Sequence, residues 1–412
     1  MLSRLHLPAD PAWRALWAAM LGYMLDAMDV LLYVFALQTL RAVFGLSHAQ
    51  AGLVSSATLV CSAVGGALAG VLADRMGRRR LLIYTILLYS LASGGTASAT
   101  SFESLLFWRA LVGFGLGGEW SAGAVLVAEW WPAEKRGRAI GFMQSGWALG
   151  YMLAAVVTAL VLPRWGWRVL FLTGVLPALL TLWIRRRVEE PEIWRQQKGP
   201  RGRIADLFRA PLRRRTLLAT ALTTSVLLAY WGLFTWLPGF LSAPPTEGGA
   251  GMSIVRTSAW MVALQAGAFA GYLSFGWLAD RFGRRPAFVG YMLAAAALTP
   301  LYGQLPALLG ESAETGLLVL GPFVGFFGSG YFSLFGALLA ELYPTPVRGA
   351  GQGLTYNAGR AVSALAPYAV GFLADRAGVG SALALSSAFF LAGALLILLL
   401  PETKARRLEE VV

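Results

Sequence analysis

One stretch of this sequence is written twice. GVLADRMGRRR runs from Gly70 to Arg80, and GWLADRFGRR returns from Gly276 to Arg285. Gly70 and Gly276, Asp74 and Asp280, and Gly77 and Gly283 are each 206 residues apart. Glu129 and Pro132 recur as Glu341 and Pro344, and Arg136-Gly137 recurs as Arg348-Gly349, at an offset of 212. Pro191-Glu192 answers to Pro401-Glu402 at 210. The extra six residues must sit between the second copy and Glu341, most simply in a loop near 303–315. A chain that repeats a turn of fixed chemistry at this spacing is one half written twice.

Composition says which kind of half. The chain is 57% apolar and only 13% charged, with a mean hydropathy of +0.62. A soluble domain carries about twice that charged fraction. Apolar runs of ~20 residues, enough to cross a bilayer, recur from end to end. Small-xxx-small pairs (Gly66/Gly70, Gly113/Gly117, Gly146/Gly150, Gly267/Gly271) suit closely packed helices. The reading is an all-α integral membrane protein of twelve spans in two six-helix bundles. The spans are expected at 13–40, 49–73, 79–99, 102–129, 137–162 and 166–185, then 215–241, 253–279, 285–307, 314–341, 347–374 and 379–400. The corresponding domains are an N-terminal tail (1–12), a first bundle (13–185), a basic linker (186–214), a second bundle (215–400) and a C-terminal tail (401–412). A short surface helix is expected in the linker, around Ile204 to Phe208.

The net charge of +13 would suit a nucleic-acid partner, but the basic residues cluster between apolar runs. No nucleic acid is expected. With this topology, 27 of the 34 Lys and Arg residues fall on the side that holds both tails, five fall opposite, and Arg109 and Arg360 lie within spans. The positive-inside rule then makes both termini cytoplasmic. Cys61 is the only cysteine, so no intrachain disulfide can form. His6 and His48 are expected in tails or loops, which argues against a histidine metal site, and no cleavable signal peptide is evident.

Twelve spans, a six-plus-six repeat and the GxLaDrxGrr loop after spans 2 and 8 resemble the major facilitator superfamily over essentially the whole chain. The resemblance implies two bundles that rock about a central site to give alternating access. It implies a role for the repeated loop as well. Asp74 can face the N-terminus of a neighbouring helix, while Arg78 and Arg136 bridge to Glu129. With Arg75, and with Asp280, Arg281, Arg284, Glu341 and Arg348 of the second copy, these residues form a candidate gate that latches the outward-facing state. Plain topogenic charge around a tight turn is the alternative.

Ionisable groups inside spans are costly and point to function. Asp26 and Asp29 lie in span 1, with Asp26 about 14–20 Å from the Trp13/Trp17 interface. Gly22, Asp26, Asp29 and Tyr33 form one stripe, expected to face an aqueous cavity. In span 4, Arg109 stands near the height of Asp29, and Glu119 lies about 15 Å further along. Glu119 is turned away from Arg109, so a structural and a proton-carrying role both stand open. Asp29, with Asp26 as alternative, is the expected proton carrier. In the second half the counterpart of Glu119 is Tyr331, and Arg360 stands near mid-depth with Asn357 one turn earlier. A buried guanidinium beside an asparagine suits a carboxylate, that of a bound anion or, as the competing reading, that of an acidic residue on the other bundle in a structural pair. Tyr33, Gln144, Trp147, Tyr230, Trp231, Gln265 and Tyr331 are candidates to complete the pocket.

Asp-x-x-Asp in span 1 and the run GFGLGGEW…E before P…RG resemble the organic-acid:proton symporters, including aromatic-acid, sialate and lactate/pyruvate permeases. The middle of the first motif departs from the aromatic-acid pattern, with Ala27 and Met28 in place of Gly-Tyr. Together with the short, polar linker, this points toward a small, monocarboxylate-like anion. The resemblance implies a multi-pass protein of the bacterial inner membrane, working as a monomer. No cofactor is expected beyond protons as the coupling ion. A facilitator or exporter of an uncharged metabolite or drug, and a membrane receptor that does not transport, are the alternatives. No nucleophile–base set or metal cluster suggests an enzyme.

Overall fold

The computed structural model describes residues 11–131, 133–189, 204–210, 212–344 and 347–403, and among them there are helices and turns but no strand. The first half contributes α1 (Pro11–Phe44), α2 (His48–Met76), α3 (Arg78–Thr96), α4 (Phe102–Trp130), α5 (Ala133–Thr173) and α6 (Ala178–Arg187). The second contributes α7 (Leu212–Phe234), α8 (Leu237–Ser242), α9 (Ile254–Phe282), α10 (Arg284–Leu309), α11 (Ala313–Ser329) and α12 (Phe335–Leu342). It ends with α13 (Arg348–Ser363), α14 (Leu365–Ala377), α15 (Val379–Ala382) and α16 (Leu385–Leu399). The linker segment Ile204–Phe208 forms a short 3-10 helix, in the place where a short helix is expected.

The repeat is visible in backbone chemistry. Helices α2 and α9 are both 29 residues long and both close on the motif glycine. Gly77 has φ 96°, ψ 155° and Gly283 has φ 107°, ψ 156°. That region is open in practice only to glycine, so each copy turns its chain through the same narrow conformation. The helices also begin alike. Ser47 Oγ accepts the Gln50 N–H at 3.1 Å while Gln50 Oε1 accepts the Ser47 N–H at 3.0 Å, a capping box. Ser253, 206 residues on, accepts the Arg256 N–H at 3.4 Å.

Several expected spans are broken helices. Helix α5 runs past Pro163 and bends at Gly166 (φ 75°), so span 6 is shared between its tail and α6. Proline removes a ladder hydrogen bond there and the glycine takes the turn. Span 10 is interrupted by a 3-10 turn, Gly330–Leu334, between α11 and α12. Spans 11 and 12 divide as α13/α14 and α15/α16. Among the described residues, seven segments are long and apolar enough to cross a membrane: Pro11–Phe44, His48–Ala69, Ala139–Thr181, Leu212–Ser242, Ile254–Phe282, Arg284–Leu334 and Val379–Leu399. Expected spans 3, 4 and 11 are not among them. Large apolar side chains such as Leu91, Leu179, Leu273, Trp277 and Leu395 face outward, as on a surface solvated by lipid tails.

Helices α2 and α3 pack on α4, and α1 packs on α4 and α5. In the second half α9 packs on α11, α10 on α11 and α16, and α7 on α13 and α16. The halves meet where α2 lies along α13 and α14, and where α5 lies along α9. Close approach depends on glycine: a Cβ at Gly113 or Gly117 of α4 would strike the α2 carbonyls of Thr58 or Ser62.

Candidate substrate and proton pathway

The acidic stripe of α1 is buried inside the first half, not on an open cavity. Asp26 and Asp29 are 1% and 0% exposed, and Glu119 and Arg109 are each 1% exposed. The reason is the glycine at Gly22: its missing side chain makes room for the Glu119 carboxylate, which packs directly on that Cα. Glu119 therefore turns toward α1 and stands beside Tyr89 of α3, within electrostatic reach of Asp26. Neither carboxylate closes a well-aligned hydrogen bond among the described residues, and Tyr89 is the side chain poised to donate to Glu119.

Asp29 occupies a separate niche. Its Oδ1 and Ser93 Oγ converge on the space that a side chain at Gly174 would fill. Arg109 lies within electrostatic reach but closes no ion pair with it. The guanidinium donates Nη2–H to the Val30 carbonyl at 3.4 Å and stands 5.4 Å from the Tyr33 ring centre and 6.0 Å from that of Phe171. Its Nε and Nη1 have no hydrogen-bond partner among the described residues. A small cavity beside it is lined by Tyr33, Ser55, Thr58, Trp231 and Thr235, so it spans the two halves. Tyr33 donates its hydroxyl to the Ala51 carbonyl at 2.8 Å.

Arg360 of α13 is 6% exposed and stands within electrostatic reach of Asp26, Tyr23 and Tyr356. Asn357, one turn earlier, donates Nδ2–H to the Gly353 carbonyl at 3.0 Å, and its Oδ1 meets α2 at Gly66. The second half thus places a cation opposite the first half's carboxylates. Between Arg360 and the Arg109 cavity lies an aromatic layer. Tyr23 and Trp147 have ring centres 5.2 Å apart, and Trp147 and Trp231 5.9 Å apart. Trp147 Nε1–H donates to the Tyr230 hydroxyl at 2.5 Å, and Tyr151 donates to the Phe234 carbonyl at 2.9 Å, both across the halves. Phe332 meets Tyr230 edge-on at 5.3 Å.

Of the expected pocket residues, Trp147, Tyr230 and Trp231 meet in this layer, and Tyr33 stands beside Arg109. Gln144 is buried on α5, and Gln265 is buried on α9 with no hydrogen-bond partner for Nε2 among the described residues. Tyr331 is fully buried between Phe288 and Phe332, its hydroxyl without a hydrogen-bond partner among the described residues. The residue facing the layer is its neighbour Phe332, because the 3-10 turn rotates the chain there. Sequence reasoning missed Phe332 and also Tyr23, which lies one position beyond Gly22 of the stripe.

At the motif end, the side chains of Asp74, Arg75, Arg78, Glu129, Arg136 and Arg348 lie outside the described residues. The second copy is described. Arg284 reaches Asp280 at 2.6 Å and Glu341 at 3.3 Å, and Thr403 Oγ1–H donates to Glu341 at 2.5 Å. Glu402 accepts the N–H groups of Arg284 and Arg285 at 2.9 and 3.0 Å, capping α10. Arg281 lies over the Trp277 and Phe282 rings at 5.4 and 5.6 Å.

The opposite, far end holds a cluster that the sequence did not reveal. His48 is not in a loop: it is the first residue of α2 and 5% exposed. Its Nδ1 lies 2.7 Å from Asp375 and its Nε2 3.3 Å from Glu247, and Arg41 reaches Glu247 at 3.1 Å. Asp375 also accepts the backbone N–H groups of His48 and Ala49 at 3.0 Å each, so a residue of α14 caps α2 across the halves. Gln38 donates to the Gly239 carbonyl at 3.2 Å, and Trp236 Nε1–H to the Pro367 carbonyl at 2.9 Å. The pairs Arg41–Glu247, His48–Asp375, His48–Glu247 and Gln38–Gly239 tie the two halves together at the far end.

Two bundles joined along α2/α14 and α5/α9, with charged groups buried between and within them, have the architecture of a solute carrier. A profile of the Major Facilitator Superfamily matches the chain twice, over residues 19–246 and 242–411, and the protein belongs to that family. A putative metabolite transport protein of Haemophilus influenzae is 35% identical over 96% of this chain and 98% of its own length. A probable 4-methylmuconolactone transporter of Cupriavidus pinatubonensis is 35% identical over 97% of this chain and 92% of its own. A cis,cis-muconate transport protein of Acinetobacter baylyi is 29% identical over 93% of each chain. The fold is that of the Escherichia coli xylose transporter XylE in an inward-open conformation: TM-score 0.75 at 21% identity, over 97% of this chain and 99% of the other. The relatives named here are transporters, and the protein is not an enzyme.

Proposed function

We propose that the protein is a proton-coupled symporter of a small organic anion, working by alternating access across the bacterial inner membrane. In this reading it has twelve spans, both termini are cytoplasmic, and the bundles comprise 13–185 and 215–400 on either side of the basic linker. The motif end faces the cytoplasm and the far end faces outward. It works as a monomer and needs no cofactor besides protons.

The observation that carries the reading is Arg360: a buried guanidinium on the second half, within electrostatic reach of Asp26 on the first. A lone charge in a site closed from water costs several kcal/mol unless it is paired. With the anion absent, an ionised Asp26 balances Arg360. With a carboxylate on Arg360, Asp26 must carry a proton if the site is to close without excess charge. These two states cross the membrane and half-loaded ones cross poorly, which couples the proton to the anion. Asp26 fits this role better than Asp29, because Asp29 answers to Arg109 in its own niche. Glu119, packed beside Asp26, shares the proton. The aromatic layer of Tyr23, Trp147, Trp231 and Phe332 supplies flat apolar walls. The names of two relatives, for 4-methylmuconolactone and for cis,cis-muconate, point to a small unsaturated acid.

The test is uptake into proteoliposomes of a panel of labelled carboxylates, with and without an inward proton gradient. Accumulation of at least one acid that collapses when the gradient is removed is expected. Gradient-independent equilibration of an uncharged compound, with no acid accumulated, would sink the reading.

A further inference from the structure

The cluster that ties the far end has a composition that its mechanical role does not require. A latch could be built from an arginine and a carboxylate alone, as Arg41 and Glu247 already show. Here a histidine is inserted between two carboxylates, each from the opposite half of the molecule. His48 Nδ1 stands 2.7 Å from Asp375 Oδ1, and Nε2 stands 3.3 Å from Glu247 Oε2, close enough to pair though out of line for a hydrogen bond. Neutral imidazole has one N–H and one lone pair. Whichever tautomer it takes, a ring lone pair then faces a carboxylate oxygen. Only the imidazolium, with a proton on both nitrogens, is attracted to both partners.

The charge count agrees. The ionisable groups facing His48 are Arg41 from α1, Glu247 from the 3-10 turn after α8, and Asp375 from α14, and the Trp236 ring lies 5.7 Å away. One arginine and two carboxylates leave one negative charge unmatched, and a protonated His48 matches it. Burial and the Arg41 charge nevertheless outweigh the pull of the two carboxylates and hold the imidazole below its ordinary value, so the proton is bound only in acid. Arg376, next to Asp375, is engaged elsewhere, over the Phe372 ring at 3.6 Å and on the Phe372 carbonyl. Asp375 itself keeps its charge. Burial pushes its carboxyl up, but the N–H of Ala49 and the ring and N–H of His48 outweigh this and hold it below the ordinary carboxylate value. Asp375 therefore does not titrate in the range where imidazole does.

We propose that His48 makes the outer seal a protonation-sensitive lock. Protonated His48 joins Asp375 of α14 and Glu247 of the second half and holds the far end shut. Loss of that proton leaves an unbalanced carboxylate and a repelled lone pair, and the seal opens more readily. The lock rests on the orientation given above, with the far end outward, and does not depend on which solute is carried. In such a carrier external acid has two opposed effects. It loads the coupling carboxylates, and it also keeps the outer door closed, which limits turnover at low external pH.

The experiment uses the full-length protein in intact cells, with Cys61 replaced by serine and Ser55, which lines the cavity beneath the seal, replaced by cysteine. The rate of labelling by a membrane-impermeant thiol reagent is read at about pH 5 and about pH 7.5, the lower value set well into acid because burial and Arg41 lower the imidazole. An exposed reference cysteine in a second variant corrects for the reagent's own pH dependence. Corrected labelling should rise roughly threefold or more between the two pH values. His48→Gln should label at the higher rate at both. Glu247→Gln removes one of the two carboxylates that favour the imidazolium while leaving the Asp375 cap in place, so its transition should move to lower pH. A corrected rate that does not change with pH, or a His48→Gln variant that keeps the wild-type profile, overturns the lock. So does a Glu247→Gln transition that stays where it was. A cysteine appended after Val412 tests orientation separately: it should stay unlabelled until the cells are permeabilised. Failure of carboxylate uptake in proteoliposomes would remove the substrate reading and leave these labelling results standing.

Discussion

The two halves of this protein agree where the backbone is constrained and disagree where a solute would be. Helices α2 and α9 share a serine entrance, a 29-residue length and a glycine exit with nearly the same dihedral angles. At the depth of Glu119, however, the second half has Tyr331 in a 3-10 turn. The first half buries two aspartates and a glutamate that close no well-aligned hydrogen bond among the described residues, and the second offers aromatic rings and one arginine. A carrier built from two identical halves would confront like charge with like across its interface. The difference teaches that the repeat fixes the shared turns and the divergence places the charged groups.

The sharpest way to break that comparison is to neutralise the first half's side of it. Asp26→Asn should abolish accumulation of the transported acid while exchange across the membrane continues, because the asparagine imitates a permanently protonated carboxyl. Counterflow and gradient-driven uptake in the same vesicles separate the two. Asp29→Asn should leave gradient-driven uptake measurable. If the two variants behave the other way round, the proton sits with Arg109 and Asp29, and Asp26 is structural.

On the other side of the interface, Arg360→Lys keeps the charge and loses the planar fork. Charge-assisted hydrogen bonds to a carboxylate contribute about 2 kcal/mol, so affinity should fall roughly 30-fold. Binding of the labelled acid to the purified variant checks it, and unchanged affinity would move the anchor to Arg109.

The shared part of the repeat can be sharpened too. Gly77→Ala and Gly283→Ala each force a side chain into a backbone region that costs of order 1–3 kcal/mol. Both variants should lower the midpoint of thermal unfolding by similar amounts. A large loss at one glycine with none at the other would show that the two turns, alike in dihedral angles, carry different loads.

How much of this was legible from residues alone follows the same division. The repeated loop could be read because glycine and charge at fixed offsets survive duplication, and with it came the family. Arg360, Asp26, Asp29 and Glu119 could be found because a charge inside an apolar run is conspicuous. Their partners could not be. Gly22 carries no chemical signal that it seats Glu119, and Tyr23 looks like any other membrane tyrosine. Phe332 took the place assigned to Tyr331 because the 3-10 turn shifts the helical phase, and nothing in GSGYFSL announces that turn. His48 escaped notice because its partners, Glu247 and Asp375, are about 200 and 330 residues away in the chain.

The smallest expected effect tests the comparison at its most exact point. Glu119 and Tyr331 occupy equivalent positions, and both bury polar atoms that close no well-aligned hydrogen bond among the described residues. Were burial alone to define a functional group, both should matter. Glu119 lies within reach of Asp26, so Glu119→Gln should alter the pH dependence of uptake even where maximal uptake survives. Tyr331 lies among Phe288, Phe332 and other rings, with no carboxylate beside it. Removing a buried hydroxyl that has no partner spares its desolvation and forfeits no hydrogen bond, so Tyr331→Phe should be neutral or slightly stabilising, within about 0.5 kcal/mol. Its uptake and pH profile should overlay those of the wild type. A Tyr331→Phe variant with a displaced pH profile would mean that protons cross through both halves, and that the second half is more than the counter-charge.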